Sequence, residues 1–172
     1  QWLPEFRDVF DLSALREWTV EINPRTISDR KAALLLEQGV TRASLGVQDV
    51  NEHVQRAVNR IQPFDVTAAA ADGLRQAGVA GINLDLMYGL PGQTTADVLR
   101  TTDRAVTLRP DRLTLFGYAH VPWMKPAQKI LKQEILPTPE TKLELLKLTI
   151  ERLTSEGYVY IGMDHFARVT DE

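Results

Sequence analysis

Residues 81–94 combine a strand, a turn and the start of a helix. Side chains alternate along an extended chain, so this strand has one apolar and one polar side. The apolar side holds Ile82, Leu84 and Leu86, and the polar side holds Asn83 and Asp85. Glycine and proline at 89–92 then predict a turn, and Thr94 is placed to cap a helix. In α/β folds such a loop borders the ligand site, although Asp85 alone is equally typical of a solvated strand end.

The same strand–helix unit recurs along the chain. Strands are predicted at 18–22, 43–48, 81–88, 113–118 and 158–163. Helices are predicted at 4–12, from Thr26 or Ser28 to Gly39, at 52–58, 65–77 and 94–108, and from Thr138 to Gly157. Strands that recur with helices between them indicate βα units and a parallel sheet.

The strands carry a polar face that a doubly wound sheet would not have. Both faces of a doubly wound sheet are buried, so its strands are apolar throughout. Here three strands have polar or small residues on one side: Thr19, Glu21 and Asn23; Ser44, Gly46 and Gln48; Asn83 and Asp85. This pattern predicts an α/β fold with a partial parallel (β/α) barrel and a wet interior. The fourth strand fits less well, but Gly117 and Ala119 at its end are expected to leave room for a ligand.

Three polar side chains are expected to converge on this interior. Glu21, Gln48 and Asp85 each lie near the carboxyl end of a predicted strand and share the polar face. In a parallel barrel that edge carries the active site. Such a group suits a ligand with hydroxyl or amine groups, such as a ribose or an amino-acid moiety. The alternative is that the three side chains hydrogen-bond one another and fill the barrel mouth.

Composition excludes several classes of function. The net charge of −3 and pI near 5.7 provide no basic surface for nucleic acid. No apolar run is long enough to cross a bilayer, and a cytoplasmic location is expected. The chain has no cysteine, which excludes disulfides, thiolate nucleophiles and Cys-ligated clusters within it. The spacing of its histidines and carboxylates matches no metal-binding pattern, so no metal site is predicted.

A set of short motifs occurs in a characteristic order. They are Glu21-Ile22-Asn23-Pro24, residues 45–49 (LGVQD), 58–60 (VNR), 83–91 (NLDLMYGLP), 118–122 (YAHVP) and 162–167 (GMDHFA). Together they closely resemble the oxygen-independent coproporphyrinogen III oxidases, which are radical S-adenosylmethionine (SAM) enzymes of haem biosynthesis. The resemblance covers nearly the whole chain. The motifs at 118–122 and 162–167 point to the oxidases, whereas the others are shared with relatives that include haem chaperones.

The resemblance implies a function and a set of cofactors. The family binds a [4Fe–4S] cluster through a Cys-x-x-x-Cys-x-x-Cys loop and cleaves SAM to a 5′-deoxyadenosyl radical. That radical removes hydrogen from two propionates of coproporphyrinogen III, whose oxidative decarboxylation leaves two vinyl groups. The family holds two SAM molecules. Matched by motif, Glu21 would contact the cluster-bound SAM, and Gln48, Arg60, Asp85 and Ala119 would line the second SAM site. The catalytic residues and the electron donor are not assigned.

The resemblance also implies that residues 1–172 are the central part of a radical SAM barrel. The cysteine loop and a Gly-rich SAM segment are expected before Gln1, and the family's C-terminal domain after Glu172. The barrel is then open, and the chain alone is expected to be inactive. An open barrel makes the first strand an edge with unpaired backbone groups. Self-association through that edge is predicted; the alternative is that the N-terminal helix, with Leu3, Phe6, Val9 and Phe10, folds over it.

The remaining candidates leave alternatives open. His120 and His165 are either substrate-site groups or satisfied histidines, and His53 with Arg56 is expected on a solvated helix face. Arg42, Arg60, Lys125 and Arg168 would meet substrate propionates or simply solvate the surface. Trp123 and Met124 are expected in the core or an interface. Two other functions are retained: a haem chaperone of the same family, and a non-radical lyase or hydrolase with Glu21 and Asp85 as acid and base.

Overall fold

The structure is a computed structural model that describes residues 5, 8–131 and 135–171. Its strands are β1 (Thr19–Ile22), β2 (Arg42–Gln48), β3 (Gly81–Tyr88), β4 (Arg112–Gly117), β5 (Tyr158–Gly162) and β6 (His165–Arg168). Its helices are α1 (Asp29–Glu37), α2 (Glu52–Ala57), α3 (Phe64–Ala77), α4 (Thr95–Thr107) and α5 (Pro139–Ser155). Short 3-10 turns lie at Pro24–Thr26 and Pro126–Ile130. All the described strands and α-helices except β6 were predicted, with bounds that agree to within a few residues, whereas the two 3-10 turns were not.

The strands form one six-stranded sheet in the order β1-β2-β3-β4-β6-β5. The first four strands are parallel, as the recurring βα units predict. Strand β6 runs antiparallel to both of its neighbours. In the part of the chain that the structure describes, β1 and β5 are the two edges and the sheet does not close. The prediction of an open, partial barrel is therefore confirmed.

The predicted division of the sheet into two faces is also confirmed. Leu45 of β2 pairs with Leu84 of β3, which pairs with Leu113 of β4, and all three side chains are fully buried. Directly paired residues share a face, so these leucines form a continuous apolar layer. Helices α3 and α5 cover it with Leu74 and Leu153. Burial of each such side chain contributes roughly 1.5–3 kcal/mol.

Polar caps begin the helices that flank the site. Thr94 accepts the backbone N–H of Asp97 through its side chain, and Asp97 accepts the N–H of Thr94 in return, which completes a capping box. At the starts of α1 and α5 the side chains of Ser28 and Thr138 accept the backbone N–H groups of Lys31 and Thr141, without the reciprocal bond. Gly78 ends α3 in the left-handed conformation, with φ of 101°. Thr94 thereby places the start of α4 shortly after the end of β3, beside the carboxyl edge of the parallel sheet.

Strand β6 corrects the prediction of a sheet with parallel strands only. Gly162, Met163 and Asp164 have φ values of 115°, 48° and 67°. Three consecutive residues in this left-handed region reverse the chain within one turn. The residues from His165 onward therefore return along β5 and pair with β4, where no strand was predicted. The predicted last strand, β5, becomes the outer edge of the sheet.

The expectation that Gly117 leaves room for a ligand is wrong. Gly117 pairs with Tyr88 on the helix-covered face of the sheet, not on the polar face. The hydroxyl of Tyr88 lies 2.9 Å from the position that a β-carbon on Gly117 would occupy. The space beside this glycine is therefore filled by the Tyr88 ring. The side chains of β4 that lie on the polar face are Thr114 and Phe116.

The helix predicted at 4–12 lies partly outside the described residues. Leu3 and Phe6 are among the residues not described, whereas Val9 and Phe10 are exposed. Within the described part of the chain, each helix is too short or too polar to span a bilayer.

Candidate functional site

A chain of buried hydrogen bonds crosses the polar face of the sheet and ends on Asp85. Ser44 Oγ donates to Asp85 Oδ2 at 2.8 Å, and Asn83 Nδ2 donates to Asp85 Oδ1 at 2.8 Å. Asn83 Nδ2 also reaches Ser44 Oγ, and Thr114 Oγ1 donates to Asn83 Oδ1 at 3.3 Å. The register that pairs Ser44 with Asn83 brings these strands together. Asp85 is 7% exposed and is held in one orientation by two donors.

Glu21 lies beside this network, and the charge of Asp85 acts on the Glu21 carboxyl group. It pairs with Ser44 in the register of β1 and β2 and remains exposed at the sheet edge. Partial burial and the negative charge of Asp85 raise the pKa of the Glu21 carboxyl. Two carboxyl groups that lie close together disfavour double ionisation. This part of the site is therefore arranged to receive a cation or a set of hydroxyl donors.

We expect Glu21→Gln to increase the free energy of unfolding at pH 7. A carboxyl whose folded pKa is raised contributes stability below its unfolded pKa, near 4.3, and that contribution is lost as pH rises through the folded pKa. At pH 7 the ionised Glu21 therefore opposes folding, and the amide does not. Urea unfolding at pH 7 and at pH 4 measures this, and the gain should disappear at pH 4. An equal gain at both pH values would contradict the charge argument.

The polar face forms one side of an open cleft of about 240 Å³. Its lining includes Glu21, Asp85, Thr114, Phe116 and His165. The Nδ1 atom of His165 lies 2.6 Å from the carbonyl oxygen of Met163, which can only accept, so Nδ1 is the nitrogen that donates this hydrogen bond. Phe116 is 42% exposed. The cleft thus has carboxylates at one end and an aromatic ring with an imidazole at the other.

Gly46 creates a second feature, here called the Gly46 corner and formed by Gly46, Gln48 and Arg60. Gly46 pairs with Asp85, so the corner adjoins the cleft. Arg60 Nη2 donates to the carbonyl oxygen of Gly46 at 2.7 Å. Arg60 Nη2 and Gln48 Nε2 each lie 3.0 Å from the position that a β-carbon on Gly46 would occupy. Only glycine leaves room for both side chains at this point.

Two buried polar atoms at the Gly46 corner, Gln48 Oε1 and Arg60 Nε, have no hydrogen-bond partner among the described residues. Leaving such atoms unpaired costs about 1–3 kcal/mol each, and native structures rarely do so without a reason. Burial lowers the pKa of the Arg60 guanidinium, and the charge of Arg25 adds to this while Asp85 opposes it. A ligand with a donor for Gln48 and a carboxylate for Arg60 would satisfy both atoms.

The structure brings four of the five predicted cofactor-binding residues together. Glu21 and Asp85 line the cleft, and Gln48 and Arg60 form the adjoining corner. Ala119 lies apart on the exposed segment after β4, where its carbonyl oxygen accepts Gln128 Nε2 at 3.0 Å. Gln48 was predicted on the polar face because side chains alternate along a strand. This alternation fails locally, because a bulge between Gly46 and Gln48 shifts the register.

The structure places the remaining candidate residues in different surroundings. Arg56 pairs with Glu52 on the exposed side of α2, and His53 is also exposed, both as expected. The Nε2 atom of His53 lies 3.2 Å from Asp97 Oδ2 at the capped start of α4. His120 contacts the hydroxyl of Tyr118. Arg168 binds the carbonyl oxygen of Pro110, and Lys125 is exposed. Trp123 and Met124 are exposed, so their placement in a core was wrong and an interface is the alternative left.

Arg42 belongs to a four-residue ion network at the opposite, amino end of the parallel strands. Its Nε atom pairs with Glu17 at 2.9 Å and its Nη2 atom with Asp171 at 2.5 Å. Arg112 contacts the same two carboxylates. The side chains of Arg42 and Asp171 are each 8% exposed. The network closes the floor of the cleft, which excludes Arg42 from the edge where a ligand would bind.

The site residues that sequence reasoning missed are Ser44, Thr114, Asp49 and Gln93. The alternation of side chains places Ser44 and Thr114 on the polar face. They were not selected as site residues because their side chains are neutral. Asp49 Oδ2 accepts Gln93 Nε2 at 2.7 Å, across 44 residues of sequence. Asp49 ends the motif at 45–49 and Gln93 follows the motif at 83–91, which was the available signal for these two residues. In the described residues no group of three or more His, Asp or Glu side chains is arranged to hold a metal ion.

The fold and the site define the class to which the chain belongs. A family model described as the radical SAM superfamily matches residues 3–105. That match covers more than half of the chain, which therefore belongs to the radical SAM superfamily. The superfamily implies SAM and a [4Fe–4S] cluster as cofactors. The Gly46 corner and the cleft fit SAM, whereas the chain contains no cysteine to hold the cluster.

Individual relatives are more specific. The chain is 48% identical over 165 residues to the oxygen-independent coproporphyrinogen III oxidase of Bradyrhizobium diazoefficiens, which is 96% of this chain and 37% of the relative. It is 44% identical to the enzyme of that name from Synechocystis, over 96% of this chain and 35% of the relative. The solved coproporphyrinogen III oxidase of Escherichia coli, described as a radical SAM enzyme, superposes with a TM-score of 0.92 at 42% identity, over 99% of this chain and 39% of that one.

The chain thus spans about a third of the length of the curated relatives that it matches, 35% and 37% for the two described above. The family resemblance that the motifs carried is confirmed by these matches.

Proposed function

We propose that this chain supplies SAM-binding walls of an oxygen-independent coproporphyrinogen III oxidase, which converts two propionates of coproporphyrinogen III to vinyl groups. One observation carries the proposal: the carboxylates of Glu21 and Asp85 adjoin a corner where Gln48 Oε1 and Arg60 Nε are buried without partners in the part of the chain that the structure describes. SAM presents a ribose diol, an ammonium and a carboxylate, which are the groups that such atoms bind. The similarity to relatives of that name supports the choice of reaction.

The proposed roles follow from the chemistry of each side chain. Asp85, held by Ser44 and Asn83, accepts hydrogen bonds from a ribose diol or an ammonium. Arg60 binds a carboxylate, and Gln48 offers both a donor and an acceptor. Glu21 contacts the cluster-bound SAM, and Ala119 lines the second SAM molecule from the segment after β4. Cleavage of the bound SAM would supply the radical, and the chain's part is orientation and exclusion of water.

Produced alone, the chain is expected to bind no iron–sulfur cluster. It has no cysteine among its 172 residues, and cysteine thiolates hold such clusters. Anaerobic reconstitution with iron and sulfide should therefore leave it colourless, whereas a full-length protein with this sequence and a cysteine loop should take up a cluster. A stoichiometric absorption band that survives gel filtration of the chain alone would contradict the prediction.

A second experiment tests the reaction itself. The full-length protein is incubated anaerobically with coproporphyrinogen III, SAM and a reductant, and the porphyrins are separated after oxidation. We expect protoporphyrin IX, the oxidised form of the product protoporphyrinogen IX, and consumption of SAM. Stoichiometric haem binding without oxidation would indicate a haem chaperone, and turnover of another substrate without SAM cleavage would indicate a non-radical enzyme. The middle position of residues 1–172 in a barrel, and the cytoplasmic location, are parts of this proposal.

The exposed first strand is expected to make the isolated chain self-associate. β1 is a sheet edge, and Trp18, Val20 and Ile22 beside it are only partly buried. An edge with unpaired backbone groups pairs readily with another copy. Light scattering should show an average molecular mass that rises with protein concentration. Val20→Lys should reduce this rise, because a charged residue on an edge strand opposes pairing with another copy. A monomer at high concentration would exclude this pairing.

A further inference from the structure

The backbone turns sharply at Gln48, the residue that carries one of the two unpartnered atoms of the Gly46 corner. Asp49 N–H donates to the carbonyl oxygen of Val47 at 3.0 Å, and the φ angle of Gln48 is 67°. A three-residue γ-turn with a positive φ at its centre is rare and strained. For a residue with a side chain, this strain persists only where the surroundings enforce it. The residues that enforce it are therefore of interest.

Asp49 is the first of them. Its side chain is 2% exposed. Its Oδ1 atom accepts the backbone N–H and the side-chain amide of Asn51 at 2.6 and 2.9 Å. Its carbonyl oxygen accepts Gln55 Nε2 at 2.7 Å. Asp49, which follows Gln48, is thus held at both its side chain and its backbone. The turn therefore cannot relax by a movement of Asp49.

Gln93 is the second, and it belongs to a different loop. Its side chain donates to Asp49 Oδ2 at 2.7 Å and to the carbonyl oxygen of Met87 at 3.0 Å. Its Oε1 atom accepts the N–H groups of Gly89 at 2.7 Å and Leu90 at 3.3 Å. Gln93 is 3% exposed. One amide therefore joins the turn after β2 to the loop after β3.

We propose that Asp49 and Gln93 are positioning residues: their buried hydrogen bond holds the strained turn that aims Gln48 at the Gly46 corner. The proposal rests on the proposed function, since Gln48 is taken there to bind SAM. A buried carboxylate is a costly way to fill space, because apolar side chains of similar volume usually pack as well. The hydrogen bond between Asp49 and Gln93 also fixes the position of the turn after β2 relative to the loop after β3. The strained turn at Gln48 needs this support.

An exchange of charge tests the proposal. Gln93→Glu places a second carboxylate against Asp49, and Asp49→Asn in the same chain restores a donor for it. Both variants are made in the reconstituted full-length protein, and SAM binding is measured by anaerobic calorimetry. We expect Gln93→Glu to weaken SAM binding about tenfold or more, and the Asp49→Asn/Gln93→Glu protein to recover most of that loss.

Two further variants separate positioning from general damage. Gln48→Ala should weaken SAM binding, and adding Gln93→Glu to it should weaken it little further, because Gln93 acts through Gln48. Leu153→Ala removes a fully buried side chain of α5 and should lower the unfolding temperature while leaving SAM affinity unchanged. Normal SAM affinity in Gln93→Glu, fully additive losses, or an equal loss in Leu153→Ala would overturn the positioning role. Normal affinity in Gln48→Ala would instead overturn the proposed SAM site.

Discussion

Asp85→Ala in the full-length protein is expected to weaken SAM binding by roughly 1–3 kcal/mol, or about 5- to 150-fold. Asp85 carries the only carboxyl group in the buried network that it forms with Ser44, Asn83 and Thr114 among the described residues. Its removal takes away charge-assisted hydrogen bonds to the ligand and also frees Ser44 and Asn83 to turn. Anaerobic calorimetry measures both the affinity and the number of SAM molecules bound.

Two matched variants sharpen this experiment. Asp85→Asn keeps the shape of the side chain and loses its charge, so its affinity should fall between those of the parent and Asp85→Ala. Asp103→Ala removes an exposed carboxylate that pairs with Arg152 on the helix-covered side, and should leave SAM binding unchanged. Unchanged affinity and stoichiometry in Asp85→Ala would show that Asp85 is not a SAM ligand.

Asp171→Ala is expected to lower the free energy of unfolding by roughly 3–5 kcal/mol. Asp171 bridges Arg42 and Arg112, and the side chain of Arg42 is 8% exposed. Without Asp171 the buried guanidinium of Arg42 keeps only Glu17, and an uncompensated buried charge is costly. Urea unfolding of both proteins measures the loss. Glu52→Ala breaks an exposed pair with Arg56 and should cost about 0.5 kcal/mol or less.

The same network should make the protein sensitive to acid. Partial burial opposes ionisation of Glu17, but hydrogen bonds and the charges of Arg42 and Arg112 outweigh it and hold the Glu17 pKa below its ordinary value. A carboxyl with a lowered folded pKa contributes stability above its unfolded pKa and loses it as pH falls through the folded value. If Asp171→Ala cost less than about 1 kcal/mol at pH 7, the network would not be a main support of the cleft floor.

The sequence predicted the faces of the sheet well because a strand places side chains with a period of two. Glu21, Ser44 and Asp85 fell on the correct face for that reason alone. The same rule failed at Gln48, where a bulge breaks the period, and β6 was missed because three left-handed residues reverse the chain. No local pattern reveals such a reversal when only one of the three residues is a glycine.

The contacts that connect loops could not be predicted in the same way. The Asp49–Gln93 hydrogen bond joins residues 44 positions apart, and the ion pair of Arg42 with Asp171 joins residues 129 apart. Each partner alone is an ordinary polar residue near the end of a strand. Only the register of the folded sheet and the lengths of the intervening loops bring the partners together, and neither quantity is local.

Gly46 has a consequence for the design of mutational surveys. Alanine scanning detects a residue by the loss of its side chain, yet what matters at Gly46 is the absence of one. Scans of this kind skip glycines, or record an added methyl as a mild change. Here that methyl would lie 3.0 Å from both Arg60 Nη2 and Gln48 Nε2. A survey that aims to map the determinants of ligand specificity should therefore add atoms at this position as well as remove them elsewhere.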